Sequence, residues 1–429
     1  MIFKKEILKT SLFKITSLNS FSVILRIFTG LISSKVIAVF LGPAGMALVG
    51  NMRNFFSSVE TVATLGFQNG IVKYAAENQE NKFELKKVIS TVFFSLLAVC
   101  LLLGVCIYFF SAYFNNEVLG IENRYDFVFK ILALALPWYV ANVFIVSIIN
   151  GFGKFKTVIY INIIGNILGL LVSIALIYKF HVSGALISVA LTPSLLIFIS
   201  FYYINKSINL SDIISLGSFD FTVIKNLSSY SLMAFVYGFV GPLVYLLIRN
   251  NIIAKIGIEQ AGYWSAMERI SANYLLFIST LLTVYFLPKL ILAKDNKETK
   301  KVFWSYYKTI IPIFILVLLA IYLLRFFIVR LLFTEELLPV ADLFLYQIIG
   351  DFFKAVSLIL GYQFFAKKMT VPFIITELMS LGILYFSSNY LVGIFNIEGM
   401  VMAHAFTYGI YLIVLSVYFR KSLILNFSR

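Results

Sequence analysis

The chain has 429 residues, 61% of them hydrophobic and 13% charged, with a mean hydropathy of +0.94 and a formal net charge of +15. Soluble domains run at about half apolar and a quarter charged, so this composition excludes a soluble globular protein and points to the membrane. The Lys and Arg excess lies between apolar runs, which fits one basic membrane face and argues against nucleic-acid binding.

Apolar runs long enough to cross ~30 Å of hydrocarbon recur twelve times. In chain order they predict helices at 17–41, 46–71, 88–111, 128–150, 157–178, 183–204, 230–251, 262–288, 307–329, 341–365, 371–393 and 399–419. The runs are continuous rather than alternating, which excludes a transmembrane β-barrel. The start, "MIFKKEILKTSLFKITSLNS", has no A-x-A-like cleavage site and merges into the first run, so it reads as a helix start rather than a removable signal. Cys100 and Cys106 share one apolar run without a CxxC spacing and read as small buried hydrophobes. Gly165 and Gly169 form a small-xxx-small pair, which predicts close helix packing. Pro137, Pro193, Pro242, Pro288, Pro312 and Pro372 fall within or at the ends of the helices, where they predict kinks.

The longest connection, 205–229, falls at the midpoint, so the expected architecture is all-α with two six-helix bundles, 1–204 and 230–429, joined by that linker. A weak internal match supports a parallel repeat: "GPAGMALVGNMRN" opens helix 2 and "EQAGYWSAMERIS" opens helix 8, each with an Ala-Gly pair followed by an Arg. With the N-terminus inside, 23 of the 35 Lys and Arg fall in cytoplasmic segments, among them Lys4, Lys5, Lys9 and Lys14 of the tail and Arg429 at the end. Six fall outside and six within helices, so the positive-inside rule places both termini in the cytoplasm.

Ten ionisable residues lie well inside the predicted helices: Arg26, Lys35, Arg53, Arg249, Arg269 and Lys354 against Glu60, Glu268, Asp351 and Glu377. Each costs roughly 2.5–3.5 kcal/mol at a helix centre, so such residues face a partner or a cavity. Asp351 and Lys354 are spaced i, i+3 and can pair on one face. Arg249, near its helix end, can snorkel to the headgroups. Glu268 and Arg269 point about 100° apart and cannot pair with each other in the same way. Lys35 and Arg53 lie about 10 Å below the outer helix ends, near the limit of side-chain reach. Cations exceed anions by two in this set. Uncompensated cations in a cavity suit an anionic headgroup, and Arg forks suit phosphate oxygens. The candidate substrate-binding set is therefore Lys35, Arg53, Arg249, Arg269 and Arg26, with Asp351, Lys354, Glu377 and Glu60 as charge pairs or ion-coupling groups. His404 is a lone intramembrane histidine, for which satisfied packing is the first reading and a proton relay the second. The sequence has no metal-ligand cluster, P-loop or G-x-S-x-G, so neither metal, cofactor nor catalysis is expected.

The stretches "SKVIAVFLGPAGMALVGNMRNF", "LGFQNGIVKYAAE", "YLLIRNNIIA", "AGYWSAMERISANYLLF", "VYFLPKL", "DLFLYQIIGDFFKA" and "FFAKK" resemble, in order, the Wzx-type flippases of lipid-linked oligosaccharides. The resemblance is to the lipid III flippase branch and related O-antigen translocases, and it runs from about residue 10 to residue 420. It implies the multidrug/oligosaccharidyl-lipid/polysaccharide exporter superfamily, with twelve helices in two bundles around a central V-shaped cavity. It also implies movement of an undecaprenyl-pyrophosphate-linked oligosaccharide from the cytoplasmic to the periplasmic leaflet of a bacterial inner membrane, with polysaccharide assembly enzymes as candidate partners. Lys35, Arg53, Arg249, Asp351 and Lys354 fall on the charged positions of the family's motifs. An ion gradient acting through Asp351 or Glu377 would fit the same picture. A drug exporter of the same superfamily would favour an anionic cavity. A membrane-embedded polymerase or ligase would need a long periplasmic loop, and the longest outer connection here, 112–127, is short.

Overall fold

The computed structural model describes residues 11–206 and 214–423. Residues 207–213 of the expected linker lie outside the described residues, as do Lys4, Lys5, Lys9 and Arg429. Every regular element among the described residues is helical. Nine apolar stretches are long enough to cross a membrane, but three of them, at 49–61 residues, would be far longer than ~30 Å if straight. Each of the three doubles back at a non-helical break, at Gly42, at His181 and at Phe395–Asn396, and the first is interrupted again at Leu65–Gly66. The described residues therefore hold twelve crossings, and the all-α membrane architecture expected from the sequence is borne out.

We number the crossings α1 (11–41), α2 (43–63), α3 (Lys82–Phe109), α4 (Asp126–Gly151), α5 (155–180), α6 (182–205), α7 (221–256), α8 (258–292), α9 (Asn296–Leu323), α10 (Phe344–Ala366), α11 (370–394) and α12 (397–418). Polar caps set several starts. Asn81 accepts from the Glu84 N–H at 3.2 Å, Asp220 from Thr222 at 2.7 Å and Asp295 from Glu298 at 2.7 Å, each satisfying an otherwise orphaned donor.

The α5–α6 and α11–α12 breaks are tight hairpins. A methyl group on Gly184 would lie 1.9 Å from the Leu176 carbonyl, and one on Gly399 would lie 2.2 Å from that of Leu391. Eight residues of straight helix would separate each pair by about 12 Å, so only a reversal brings them together. The Gly165/Gly169 expectation is met in the same hairpin, where the two glycines face Leu196 and Thr192 of α6.

Two predicted segments differ. Helix 2, expected over 46–71, stops at Ala63; Leu65 (φ 51°) and Gly66 (φ 63°) turn left-handed, and a separate helix runs Gln68–Glu77. Gly66 also sits against the adjoining chain, with only 2.8 Å from its would-be Cβ to that of Ala234, so the break combines backbone freedom with close approach. The expected loop 112–127 folds in part as Ser111–Leu119, tied by Asn51 Nδ2 donating to the Val118 carbonyl at 2.8 Å.

Helices α7 and α8 each contain one widened π turn, at Val236–Val240 and Leu282–Phe286. Each ends two residues before a proline, Pro242 and Pro288. Proline removes a donor and crowds the carbonyl one turn back, and the wider turn makes room for it. Ser58 Oγ donates to the Phe239 carbonyl at 3.1 Å, supplying one outside bond.

The chain forms two compact units, one from residues 1–40 and 51–243 and the other from Leu41–Gly50 and Val244 onward. In the first, Asn142 of α4 accepts from Ser200 of α6 at 2.7 Å. In the second, Tyr306 and Tyr307 of α9 donate to the Ala355 and Val356 carbonyls of α10 at 2.8 and 3.2 Å.

Candidate functional site

The second unit carries polar residues in stripes of helical period along otherwise apolar helices. Gln347, Asp351 and Lys354 follow one another at i, i+4, i+7 on α10, and His404, Tyr408 and Tyr411 do so on α12. Trp264, Glu268 and Ser271 form the same stripe on α8, and Tyr245 and Arg249 lie four apart on α7. That spacing puts each set on one helix face.

Asp351 is completely buried, and its carboxylate is ringed by donors. His404 Nε2 lies 3.0 Å from Oδ1, Ser271 Oγ donates to Oδ2 at 2.7 Å, and Tyr274 makes a short bond to Oδ2. Gln347 Nε2 stands 3.2 Å from both carboxylate oxygens and 3.3 Å from His404 Nε2. A buried carboxylate is tolerable only with such partners, and here they come from α8, α10 and α12. Gly350 permits the approach: a methyl there would sit 2.3 Å from His404 Cδ2.

One helix away, Arg249 is 2% exposed and forms a close ion pair with Glu268. Its guanidinium carbon lies 4.8 Å from the Trp264 ring, and that ring stacks on Tyr245 with centroids 5.8 Å apart. A methyl on Gly50 would come within 3.1 Å of that same carbon. Ion pair, aromatic face and glycine together hold the guanidinium inside the unit. Snorkelling, one sequence reading of Arg249, is thus excluded by its burial. Lys354 Nζ lies 4.8 Å from the Tyr408 ring, while Tyr411 reaches Glu377 Oε2 only at 3.5 Å. The sequence offered Lys354 as a partner along the helix for Asp351. The structure gives both Asp351 oxygens donors from other residues. Arg269 is half-buried on α8 and its side chain is engaged.

The other candidates belong to the first unit. Glu60 of α2 is within hydrogen-bond reach of Tyr139 and Gln68. Lys35 and Arg53 are half-buried and engaged, and Arg26 is exposed. The sequence reading passed over Gln347, Ser271 and Tyr274 and ranked packing ahead of a proton relay for His404. The signal available for them was the polar stripe at 3.6-residue period, which no single residue displays. Among the described residues no group of three or more His, Cys, Asp or Glu has the arrangement of a metal site. Cys100 is buried, Cys106 is half-buried, and both are free thiols.

Twelve apolar crossings, with ionisable side chains bonded to one another inside them, define a multi-pass α-helical membrane transporter. Residues 36–342 match the polysaccharide biosynthesis protein family, and the chain belongs to it. It is 25% identical over 405 residues to the lipid III flippase of Escherichia coli K12, covering 94% of this chain and 96% of that one. Its fold is that of an inward-facing multidrug resistance MATE transporter of the MOP superfamily (TM-score 0.75, 16% identity, 93% and 97% of the two chains). The inward closed lipid II flippase MurJ is also similar (TM-score 0.69, 16% identity, 95% and 87%). These likenesses agree with the resemblance to Wzx-type flippases read from the sequence.

Proposed function

We propose that this protein carries an undecaprenyl-pyrophosphate-linked oligosaccharide from the cytoplasmic to the periplasmic leaflet of a bacterial inner membrane, with both termini in the cytoplasm. The observation that carries the reading is the end-to-end similarity to a protein named lipid III flippase, over 94% of one chain and 96% of the other. The charge chemistry agrees with it. Lys35 and Arg53 give the first unit two half-buried cations at membrane depth, suited to a pyrophosphate whose lipid tail stays in the bilayer. The bundles 1–204 and 230–429, joined through 205–229, alternate the site between the leaflets, and periplasmic assembly enzymes consume the product.

The test is transport in liposomes. Purified protein is given a fluorescent undecaprenyl-pyrophosphate oligosaccharide in one leaflet, and its arrival in the other is followed. Wild type is expected to move the lipid. Lys35→Gln/Arg53→Gln is expected to slow it about tenfold or more, the loss of roughly one charge-assisted contact. Arg249→Ala/Glu268→Ala removes the buried pair together, so no lone charge is left to unfold the protein. A folded wild type that leaves the lipid in place under any gradient would sink the reading.

A further inference from the structure

We infer that the seam between the starts of α1 and α5 is a binding site for one anionic glycerophospholipid, a molecule held by the protein rather than carried by it. The site lies wholly in the first unit and goes beyond the flippase reading.

The seam opens as a groove of about 420 Å³, walled by Ser17, Leu18 and Phe21 of α1 and by Lys156 and Tyr160 of α5. Within each helix these residues stand three or four apart, the spacing of a single face. Both helices are odd-numbered crossings, so both begin on the same side of the membrane. With the termini inside, that side is the cytoplasmic one.

The lining is graded along the membrane normal. Lys156 is the second residue of α5, and Tyr160 lies four residues further in, about 6 Å at 1.5 Å per residue. Phe21 lies as far in from Ser17. The shallow end therefore presents an ammonium and a hydroxyl, and the deep end a phenol and a phenyl ring. A glycerophospholipid has the same order from water inward: phosphodiester, glycerol esters, acyl chains. The Lys156 ammonium meets the phosphodiester, the Tyr160 hydroxyl reaches the level of the ester carbonyls, and Leu18 and Phe21 cover the head of an acyl chain. Lys and Tyr suit this interface because each carries an apolar body and a polar tip.

Charge selects among the headgroups. No Asp or Glu lines the groove or stands in the first turn of α5, and Lys154 is exposed just before that turn. A zwitterionic lipid would bring its own cation beside Lys156. A phosphodiester with a glycerol headgroup brings a single negative charge and hydroxyls, which one ammonium balances. A pyrophosphate, with about two charges, would be only half compensated here.

The start of α1 is thinly covered by protein. Of residues 17–28 only Ser22 is buried, and Phe21, Ile24 and Phe28 are each more than half exposed. A lipid seated in the seam bridges α1 to α5, and its binding free energy adds to the stability of the folded state.

The experiment titrates the purified full chain with phosphatidylglycerol or phosphatidylcholine and counts bound lipids by native mass spectrometry. Wild type is expected to hold one phosphatidylglycerol about tenfold more tightly than phosphatidylcholine, the size of one charge-assisted contact, and to unfold at a higher temperature with it bound. Lys156→Gln is expected to lose both effects. Lys297→Gln, at an exposed lysine near the start of α9 on the same side, is expected to keep both. Equal losses in the two variants would mean diffuse surface attraction and overturn the site, as would equal affinity for the two lipids. Lys156 is exposed, so its replacement leaves the packing intact. To fix the location, p-benzoylphenylalanine replaces Phe21 or Phe28 in vesicles holding both lipids. Cross-linking from position 21 is expected to favour phosphatidylglycerol beyond its share of the bilayer, and that from position 28 to follow the share. The same ratio at both positions overturns the site. Excess undecaprenyl pyrophosphate is expected to leave the bound phospholipid in place; displacement would assign the groove to the cargo and overturn the inference. None of these readouts involves transport, so a protein that holds the lipid but moves no oligosaccharide sinks the flippase reading alone.

Discussion

Gly350 and His404 meet with no room for a methyl group between them: a Cβ on Gly350 would lie 2.3 Å from the imidazole Cδ2 and 3.0 Å from the Ala405 backbone. The glycine therefore sets how close α12 comes to α10, and with it the 3.0 Å bond to Asp351 next door. Gly350→Ala is expected to push the ring off the carboxylate and cost roughly 1–3 kcal/mol as overpacking. The check is the thermal unfolding midpoint in detergent together with the His404 ¹⁵N spectrum. An unchanged spectrum would mean that the helices accommodate the methyl elsewhere.

The Arg249–Glu268 pair leads to a prediction in which two changes are milder than one. Arg249 is 2% exposed, so Glu268→Ala strands a buried charge and is expected to destabilise by roughly 3–5 kcal/mol. Arg249→Met/Glu268→Leu replaces both with apolar groups and is expected to unfold within about 1 kcal/mol of wild type. Unfolding midpoints of the two variants and the wild type decide the matter. A double variant as weak as the single one would show that the pair holds more than its own charges.

Much of this was legible in the sequence because membrane insertion leaves a long, one-dimensional signal. The twelve runs, the Gly165/Gly169 packing and the depth of the ionisable residues follow from hydropathy and helical period. Partners on other helices do not. Glu268 is 19 residues from Arg249, and His404 is 53 residues from Asp351, so neither bond leaves a local mark. Arg249 therefore looked free to snorkel and His404 looked first of all like packing. The end of α2 was missed for another reason: Gly66 was visible, but a left-handed leucine beside it runs against local preference and is fixed by tertiary packing.

Outside the membrane, Lys87 holds Asp220 at 2.5 Å while the Asp220 and Ser215 N–H groups bond Thr91 and Ser90 at 2.9 Å. The segment leading into α7 is thereby strapped to α3. The lysine, then the Thr222 N–H, hold the Asp220 carboxyl down at about 2, from an ordinary value of 3.8. A depressed carboxylate stabilises the fold above its unfolded value, and the contribution is lost as pH falls through the folded one. Asp220→Asn is thus expected to unfold earlier than wild type at neutral pH, with the gap closing between about pH 4 and pH 2. Both groups are partly exposed, so the gap is small and salt-sensitive. Melting curves of both proteins across that pH range test it. A gap that persists at pH 2 would assign the effect to the helix cap alone.

Glycines at the hairpins and along the helices should respond in opposite directions to one methyl group. At Gly184 the methyl would meet the Leu176 carbonyl at 1.9 Å, and this neighbour is backbone that cannot swing aside. Gly184→Ala is expected to open the α5–α6 turn and destabilise by roughly 2 kcal/mol or more, the upper range for forced overpacking. Gly382 and Gly393 lie within α11 with nothing inside 4 Å of a would-be Cβ. There alanine only restricts the unfolded chain and improves helix propensity, so each substitution is expected to stabilise by about 0.5–1 kcal/mol. Unfolding midpoints for the three variants in one detergent separate the two mechanisms. If Gly184→Ala were neutral, the hairpin would be looser than the contact distance requires, and the packing of α5 on α6 would have to be assigned to Gly165 and Gly169 instead.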